Sequence, residues 1–239
     1  MKPLRVPLFE FPDVVLHADE LLLKRNVFYP AAKGGNVGAA ANLVAAQSNL
    51  DAVRCLASLI AGRTAELLPI HALESEGVNE IPTAFAHSLA GRLGLSVNRS
   101  VVQTNSVGHT GASGFHRLAH QALFGGEVKA AHAYVIVDDF VGQGGTLANL
   151  VGYICAQGGV VIAATVLTGK PYSVKLAPDK ALLQALRHKH GRDIEDWWQQ
   201  HFGFGFDCLT RSEARYLEKS ADADTIRNRL VAAGLASGA

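Results

Sequence analysis

The chain has 239 residues, with 22 Lys and Arg against 21 Asp and Glu for a formal net charge of +1. It has no basic run, so no long-range field draws nucleic acid or an acidic membrane surface. Hydrophobic residues make up 49% and charged residues 18%, which excludes a disordered chain because enough apolar surface exists to offset chain entropy. The length suits one α/β domain with an added flap better than two independent domains.

Cys55, Cys155 and Cys208 are odd in number and widely separated, which leaves neither a disulfide framework nor CxxC metal spacing and makes reduced cytosolic thiols the default. Pro3, Pro7, Glu10, Pro12 and Asp13 stand where a signal peptide would need an apolar core, so a cytoplasmic protein is expected. Residues 150–169 are uncharged, but Gln157 and the pair Gly158-Gly159 interrupt them. They read as a buried helix followed by a buried strand rather than a membrane span.

In chain order, a proline-studded start leads to the glycine-rich stretch Lys33-Gly34-Gly35-Asn36-Val37-Gly38 and an alanine-rich helical run to Ile60. The glycine stretch lacks a matching strand-helix context and reads as a plain turn. A strand is expected over 67–73, a loop over 74–82 and a helix over 83–93 that stops at Gly94. A second strand is expected over 95–103. Residues 106–126 are rich in Gly and His, with a short helix near 118–124. Then follow a strand over 133–137, a glycine loop, a helix over 146–156 and a strand over 160–167, an alternation that implies a parallel sheet. The aromatic cluster Trp197, Trp198, Phe202, Phe204 and Phe206 reads as core or a dimer interface, followed by helices around 212–218 and 222–233. The organisation is an N-terminal extension or hood element over 1–62, a core over 63–175 and a C-terminal helical segment over 176–239 that completes the domain.

The most informative stretch is residues 134–146: the strand Tyr134-Val135-Ile136-Val137, the acids Asp138 and Asp139, and Phe140-Val141-Gly142-Gln143-Gly144-Gly145-Thr146. A Walker A loop would need Lys where Gly145 stands. A dinucleotide fingerprint would need glycine where Leu147 stands, and two carboxylates ahead of the loop would repel a pyrophosphate. A single terminal phosphate with a vicinal diol fits better. Backbone N–H groups and the Thr146 hydroxyl at a helix N-terminus would hold the phosphate, and the carboxylates would accept from ribose hydroxyls. The alternative is that the acids merely cap a helix in an ordinary strand-helix unit.

Four apolar positions, two acids, two apolar positions and a turn closing in Gly-Gly-Thr resemble the signature of type I phosphoribosyltransferases. The resemblance implies a parallel-sheet α/β core with helices on both faces. It also implies Asp138 and Asp139 on the ribose 2- and 3-hydroxyls, with Val141, Gly142, Gln143, Gly144, Gly145 and Thr146 around the 5-phosphate. Gly142 and Gln143 replace residues that are usually Thr or Ser, which shifts phosphate binding toward backbone amides and the Gln143 side chain.

By the same resemblance the pyrophosphate loop is Glu74-Ser75-Glu76-Gly77. Its acids require either Mg²⁺ between them and the pyrophosphate or side chains turned away, and they otherwise read as solvated loop acids. Residues 106–117 take the place of a mobile flap, with His109, His116 and Arg117 the nearby cations for pyrophosphate. His116 and His120 lie four apart and, with no third ligand evident, read as a helix face rather than a zinc site. Lys170 stands where some purine-using members contact the base carbonyl, or is simply solvated.

The implied activity is transfer of the phosphoribosyl group from magnesium phosphoribosyl diphosphate to a nitrogenous base, with release of pyrophosphate. The partners are then small molecules, and general frequencies favour a homodimer. Gln143 and the acidic 74–76 loop motivate an alternative, a non-catalytic sensor that uses the same pocket and signals through either terminus.

Overall fold

The computed structural model describes residues 2–74, 77–108 and 111–235, the side chains of residues 73 and 74 excepted. β1 (Val15–Leu16) is followed by four helices: α1 (Glu20–Lys24), α2 (Tyr29–Lys33), α3 (Val37–Gln47) and α4 (Leu50–Ile60). The side chains of Asp19, Asn36 and Asn49 accept from first-turn N–H groups of α1, α3 and α4, which fixes where these short helices begin. Next come β2 (Ala65–Pro69), the hairpin of β3 (Leu73–Glu74) and β4 (Gly77–Val78), α5 (Ile81–Leu93), β5 (Ser96–Val97) and β6 (Val101–Gln103). α6 (Gly114–Ala119), β7 (Phe124–Gly126), β8 (Ala133–Val141), α7 (Gly145–Ala156) and β9 (Val160–Gly169) follow. The chain closes with α8 (Lys180–His190), α9 (Arg192–Phe202), α10 (Arg211–Glu218) and α11 (Ala223–Leu235).

Five strands form one parallel sheet in the order β1-β9-β8-β2-β5. Because strand side chains alternate, each central strand serves two cores. Leu67, Val135, Val137 and Ala163 pack with α3, α4 and α5. Leu68, Tyr134, Ile136, Ala164 and Val166 pack with α7 on the opposite face. A third cluster joins α6 to α8, α9, α10 and α11 around the fully buried Trp198 and Phe206. Thus the parallel α/β sheet with helices on both faces is as the sequence implies. Residues 1–62, read as an extension, supply the edge strand β1, which pairs with β9, and helices α3 and α4 of one core.

Several boundaries differ from expectation for physical reasons. The strand expected over 67–73 ends at Pro69, and Leu73 turns back to pair with Val78. The 74–82 loop contains that hairpin and gives way to α5 at Ile81, with Pro82 in the first helical turn where no N–H is required. The strand expected over 95–103 is cut in two by Asn98, whose Oδ1 accepts from both N–H and Oγ of Ser100. β5 stays in the main sheet while β6 pairs antiparallel with β7. The helix expected near 118–124 lies earlier, because Ser113 caps it, and Phe124 is in β7. The strand expected over 133–137 runs to Val141, because β9 keeps pairing with it as far as Gly169. The helical segment expected over 176–239 opens with α8 and α9, ahead of the two helices given positions from the sequence, and four of the five aromatics are buried in the third cluster, with Trp197 packed against it. Among the described residues no helix is long and apolar enough to cross a membrane.

His17, just past β1, is buried edge-on to the Phe85 ring at 4.7 Å, with Nε2 3.1 Å from Thr165 Oγ1. Burial first and Arg92 second lower its pKa from 6.5 to about 4. The unfolded chain therefore takes up this proton at a higher pH than the folded one. The stability conferred by neutral His17 is full above pH 6.5 and is lost as the pH falls toward 4, on the order of 3 kcal/mol. Urea unfolding of wild type and His17→Leu across that window is expected to show wild type losing this much more; parallel curves would clear His17 of the effect.

Candidate functional site

From β2 the chain passes to α5 on one face, and from β8 it passes to α7 on the other. The winding therefore reverses between these neighbouring strands, and the crevice beyond their carboxyl ends is where such sheets place ligands. β8 also outruns β2. Its pairing with β2 stops at Pro69↔Val137, while its pairing with β9 continues to Val141↔Gly169. Residues 138–141 thus have one strand neighbour and one open flank, and a cavity of about 850 Å³ occupies that flank.

Asp138 and Asp139 stand on the unpaired end of β8 and line the cavity, only 8% and 6% exposed. Asp138 Oδ1 accepts from the Asp139 N–H at 2.8 Å. Burial, followed by the neighbouring Asp139 carboxylate, pushes the Asp138 pKa well above the usual carboxylate range. Asp139 Oδ2 meets Lys33 Nζ at 3.0 Å, a lysine only 13% exposed. The pair of acids therefore combines a carboxyl that readily keeps its proton with one held beside a cation.

The turn after β8 is held from behind by the C-terminal part of the chain. Ser173 Oγ donates to the Gly142 carbonyl and contacts Ser212 Oγ at 2.8 Å. Thr210 Oγ1 donates to the Gln143 carbonyl at 2.6 Å, and the Ala148 N–H donates to the Gly144 carbonyl at 3.0 Å. These bonds fix the turn at the start of α7, where the first-turn N–H groups of a helix have no intrahelical acceptor and the helix dipole is positive. Gly144 has φ +83°, and a Cβ there would stand 2.5 Å from Leu176, so the turn requires glycine at this position. Gln143 Oε1 is buried with no hydrogen-bond partner among the described residues.

Behind this turn Arg5, from the N-terminal segment, forms a buried ion pair with Glu213 of α10 at 2.6 Å. Its Nη2 reaches Glu213 Oε1, Gln121 Oε1 and the Gly145 carbonyl, and Nη1 reaches the Cys208 carbonyl at 3.1 Å. Glu213 also completes a capping box with Thr210. One carboxylate therefore fixes both the arginine under the turn and the start of the helix whose threonine grips the turn.

Among the other residues singled out from the sequence, Arg117 lines the cavity and lies so close to the turn that a Cβ on Gly142 would meet its Nη1 at 2.4 Å. Its Nε donates to the Ala112 carbonyl at 3.3 Å, and burial lowers its pKa. His116 Nε2 lies 3.2 Å from the Val107 carbonyl, and its ring stacks on His120 at 4.1 Å. Lys170 also lines the cavity and pairs with Glu20 at 2.7 Å; that hydrogen bond raises the lysine pKa and lowers that of Glu20. Glu20, Lys24 and Lys33, none anticipated as site residues, bring α1 and α2 to the cavity rim. Lys33, part of a plain turn by its sequence, instead ends α2 and makes a long-range contact with Asp139. Gly77 closes the β3–β4 hairpin. Ser75, Glu76, His109 and the side chain of Glu74 lie outside the described residues. Among the described residues no group of three or more His, Cys, Asp or Glu is placed to hold a metal ion.

No protein-family model matches the chain. Protein TraN of Escherichia coli is 41% identical over 229 residues, 96% of this chain and 51% of TraN. An uncharacterized protein of Haemophilus influenzae is 38% identical over 148 residues, 62% of this chain and 33% of that protein. The chain thus spans about half the length of the first relative and a third of the second. Among solved structures, an adenine phosphoribosyltransferase superposes with a TM-score of 0.34 at 14% identity, covering 52% of this chain and 74% of its own. Leishmania donovani UMP synthase gives 0.31 at 13%, covering 72% of this chain and 35% of its own. Likenesses this slight leave the site to be read from its own geometry.

Removing Arg5 leaves the Glu213 charge buried without its partner, which typically costs about 3–5 kcal/mol. Arg5→Met is therefore expected to lower the unfolding free energy in urea by that order, and Arg5→Met with Glu213→Met to recover a large part of it. Equal loss in the single and double variants would show that packing, not the stranded charge, is what Arg5 supplies.

Proposed function

We propose that the cavity binds magnesium phosphoribosyl diphosphate and that the protein transfers its phosphoribosyl group to a nitrogenous base, releasing pyrophosphate. The observation that carries this reading is the juxtaposition of two buried acids on the open end of β8 with a glycine turn, held by its carbonyls, that opens the N-terminus of α7 on the same cavity. That arrangement suits a sugar diol a few ångströms from a terminal phosphate. A cavity of about 850 Å³ has room for the sugar, the diphosphate and an acceptor ring.

Asp139 is the acceptor for ribose hydroxyls. Asp138, beside it on the same open end of β8, reaches toward the same diol. The turn over 142–146 anchors the 5-phosphate, so the anomeric carbon is fixed relative to both ends of the sugar. An acceptor nitrogen forms a bond to that carbon as the carbon–oxygen bond to diphosphate breaks, its electron pair leaving with the diphosphate. The two acids offset positive charge developing on the ribosyl ring. Mg²⁺ supplies neutralisation of the leaving diphosphate. Asp138 and Asp139 would help hold the ion, and a donor set of two carboxylates fits an ion carried mainly by the substrate's own oxygens.

Calorimetric titration with phosphoribosyl diphosphate and Mg²⁺ is expected to show binding that Asp138→Asn with Asp139→Asn weakens at least about tenfold. Pyrophosphate release is expected with at least one base of a purine, pyrimidine and pyridine panel. An unchanged affinity in the double variant overturns the site assignment, and binding with no release on any base assigns the pocket to ligand sensing instead.

A further inference from the structure

We infer that Lys33 is a diphosphate-binding residue that guards Asp139 in the empty cavity and exchanges it for the diphosphate when substrate enters. This rests on the phosphoribosyl diphosphate reading given above. Lys33 ends α2 and reaches Asp139 Oδ2 at 3.0 Å, with both side chains largely buried. The backbone that carries it is tied to the other side of the cavity. The Ala32 carbonyl accepts from the Glu80 N–H at 3.3 Å, and a Cβ placed on Gly77 would come within 3.1 Å of the Gly34 carbonyl oxygen. Lys33 therefore sits beside the acid assigned to the ribose, on backbone that packs against Gly77 of β4, within reach of a diphosphate on the neighbouring anomeric carbon.

The charge arithmetic requires a cation at this place. Asp138 and Asp139 are buried side by side, and whatever negative charge they share repels an incoming diphosphate. Lys33 offsets that charge and then meets the diphosphate. In the empty cavity its ammonium offsets Asp139. Once a ribose hydroxyl donates to Asp139, the carboxylate no longer depends on the lysine, and a diphosphate carrying several negative charges is the stronger partner. An ammonium on a flexible four-carbon stem makes that move without rebuilding the backbone. Arg117, lying over the phosphate turn, is already placed for the other end of the substrate.

The test compares the affinity of phosphoribosyl diphosphate with that of ribose 5-phosphate, both with Mg²⁺, for wild type, Lys33→Met and Lys33→Gln. Ribose 5-phosphate lacks the diphosphate, so its binding reports both folding and the sugar-phosphate part of the pocket. In both variants phosphoribosyl diphosphate is expected to weaken at least about tenfold relative to ribose 5-phosphate, the loss of one charge-assisted contact. An unchanged ratio of the two affinities, or loss of both ligands together, overturns the role of Lys33 and leaves the parent reading standing. Wild type that binds neither ligand overturns the parent reading itself.

Discussion

The candidate site depends on an inequality of strand lengths. β8 is paired on both flanks up to Val137 and on one flank only from Asp138 to Val141. A strand supported on one side keeps its extended geometry, yet its free edge is not filled by a neighbour. Polar side chains there occupy a crevice instead of clashing with a sheet partner. Had β2 run four residues further, Asp138 and Asp139 would have been buried with nothing to serve. Pro69 ends β2, and Ile70 makes a last bond to Val137 before the chain leaves the sheet.

The cavity is also balanced in charge from three separate parts of the chain. Asp139 of β8 meets Lys33 from α2, the turn is overlain by Arg117 of α6, and Lys170 beyond β9 is tied to Glu20 of α1. Below the turn the Arg5 charge is matched by Glu213, so that arginine contributes rigidity rather than a free positive field. Arg117 and Arg5 thus approach the same short turn at different residues, Gly142 and Gly145, and only Arg5 is matched there by a buried carboxylate.

Much of this was legible in the sequence because it is local. The alternation of apolar runs, the stop at Gly94, and the succession of acids, glycines and Thr146 are patterns within a dozen residues, and they located β8, α7 and the two aspartates. What escaped was long-range or rested on single side chains. Lys33 is separated from Asp139 by more than a hundred positions, and its own surroundings read as a turn. Arg5 sits in a proline-studded segment with no periodic signal. The Thr210 and Glu213 pair did carry a local signature, the capping box, but nothing in it discloses that the threonine also holds the Gln143 carbonyl. The break at Asn98 was missed because one side-chain turn inside a strand-forming run outweighed the propensities around it.

The contacts that set the turn over 142–145 join positions very far apart in the chain: Arg5 with Glu213, 208 residues away, and Thr210 with Gln143, 67 residues away. Closing such loops is slow compared with local helix and hairpin formation, and a nascent chain emerges from its N-terminus. The sheet through β9 is complete in sequence some forty residues before Thr210 is synthesised. The turn over 142–145 therefore receives its supports only after every strand of the main sheet has been synthesised.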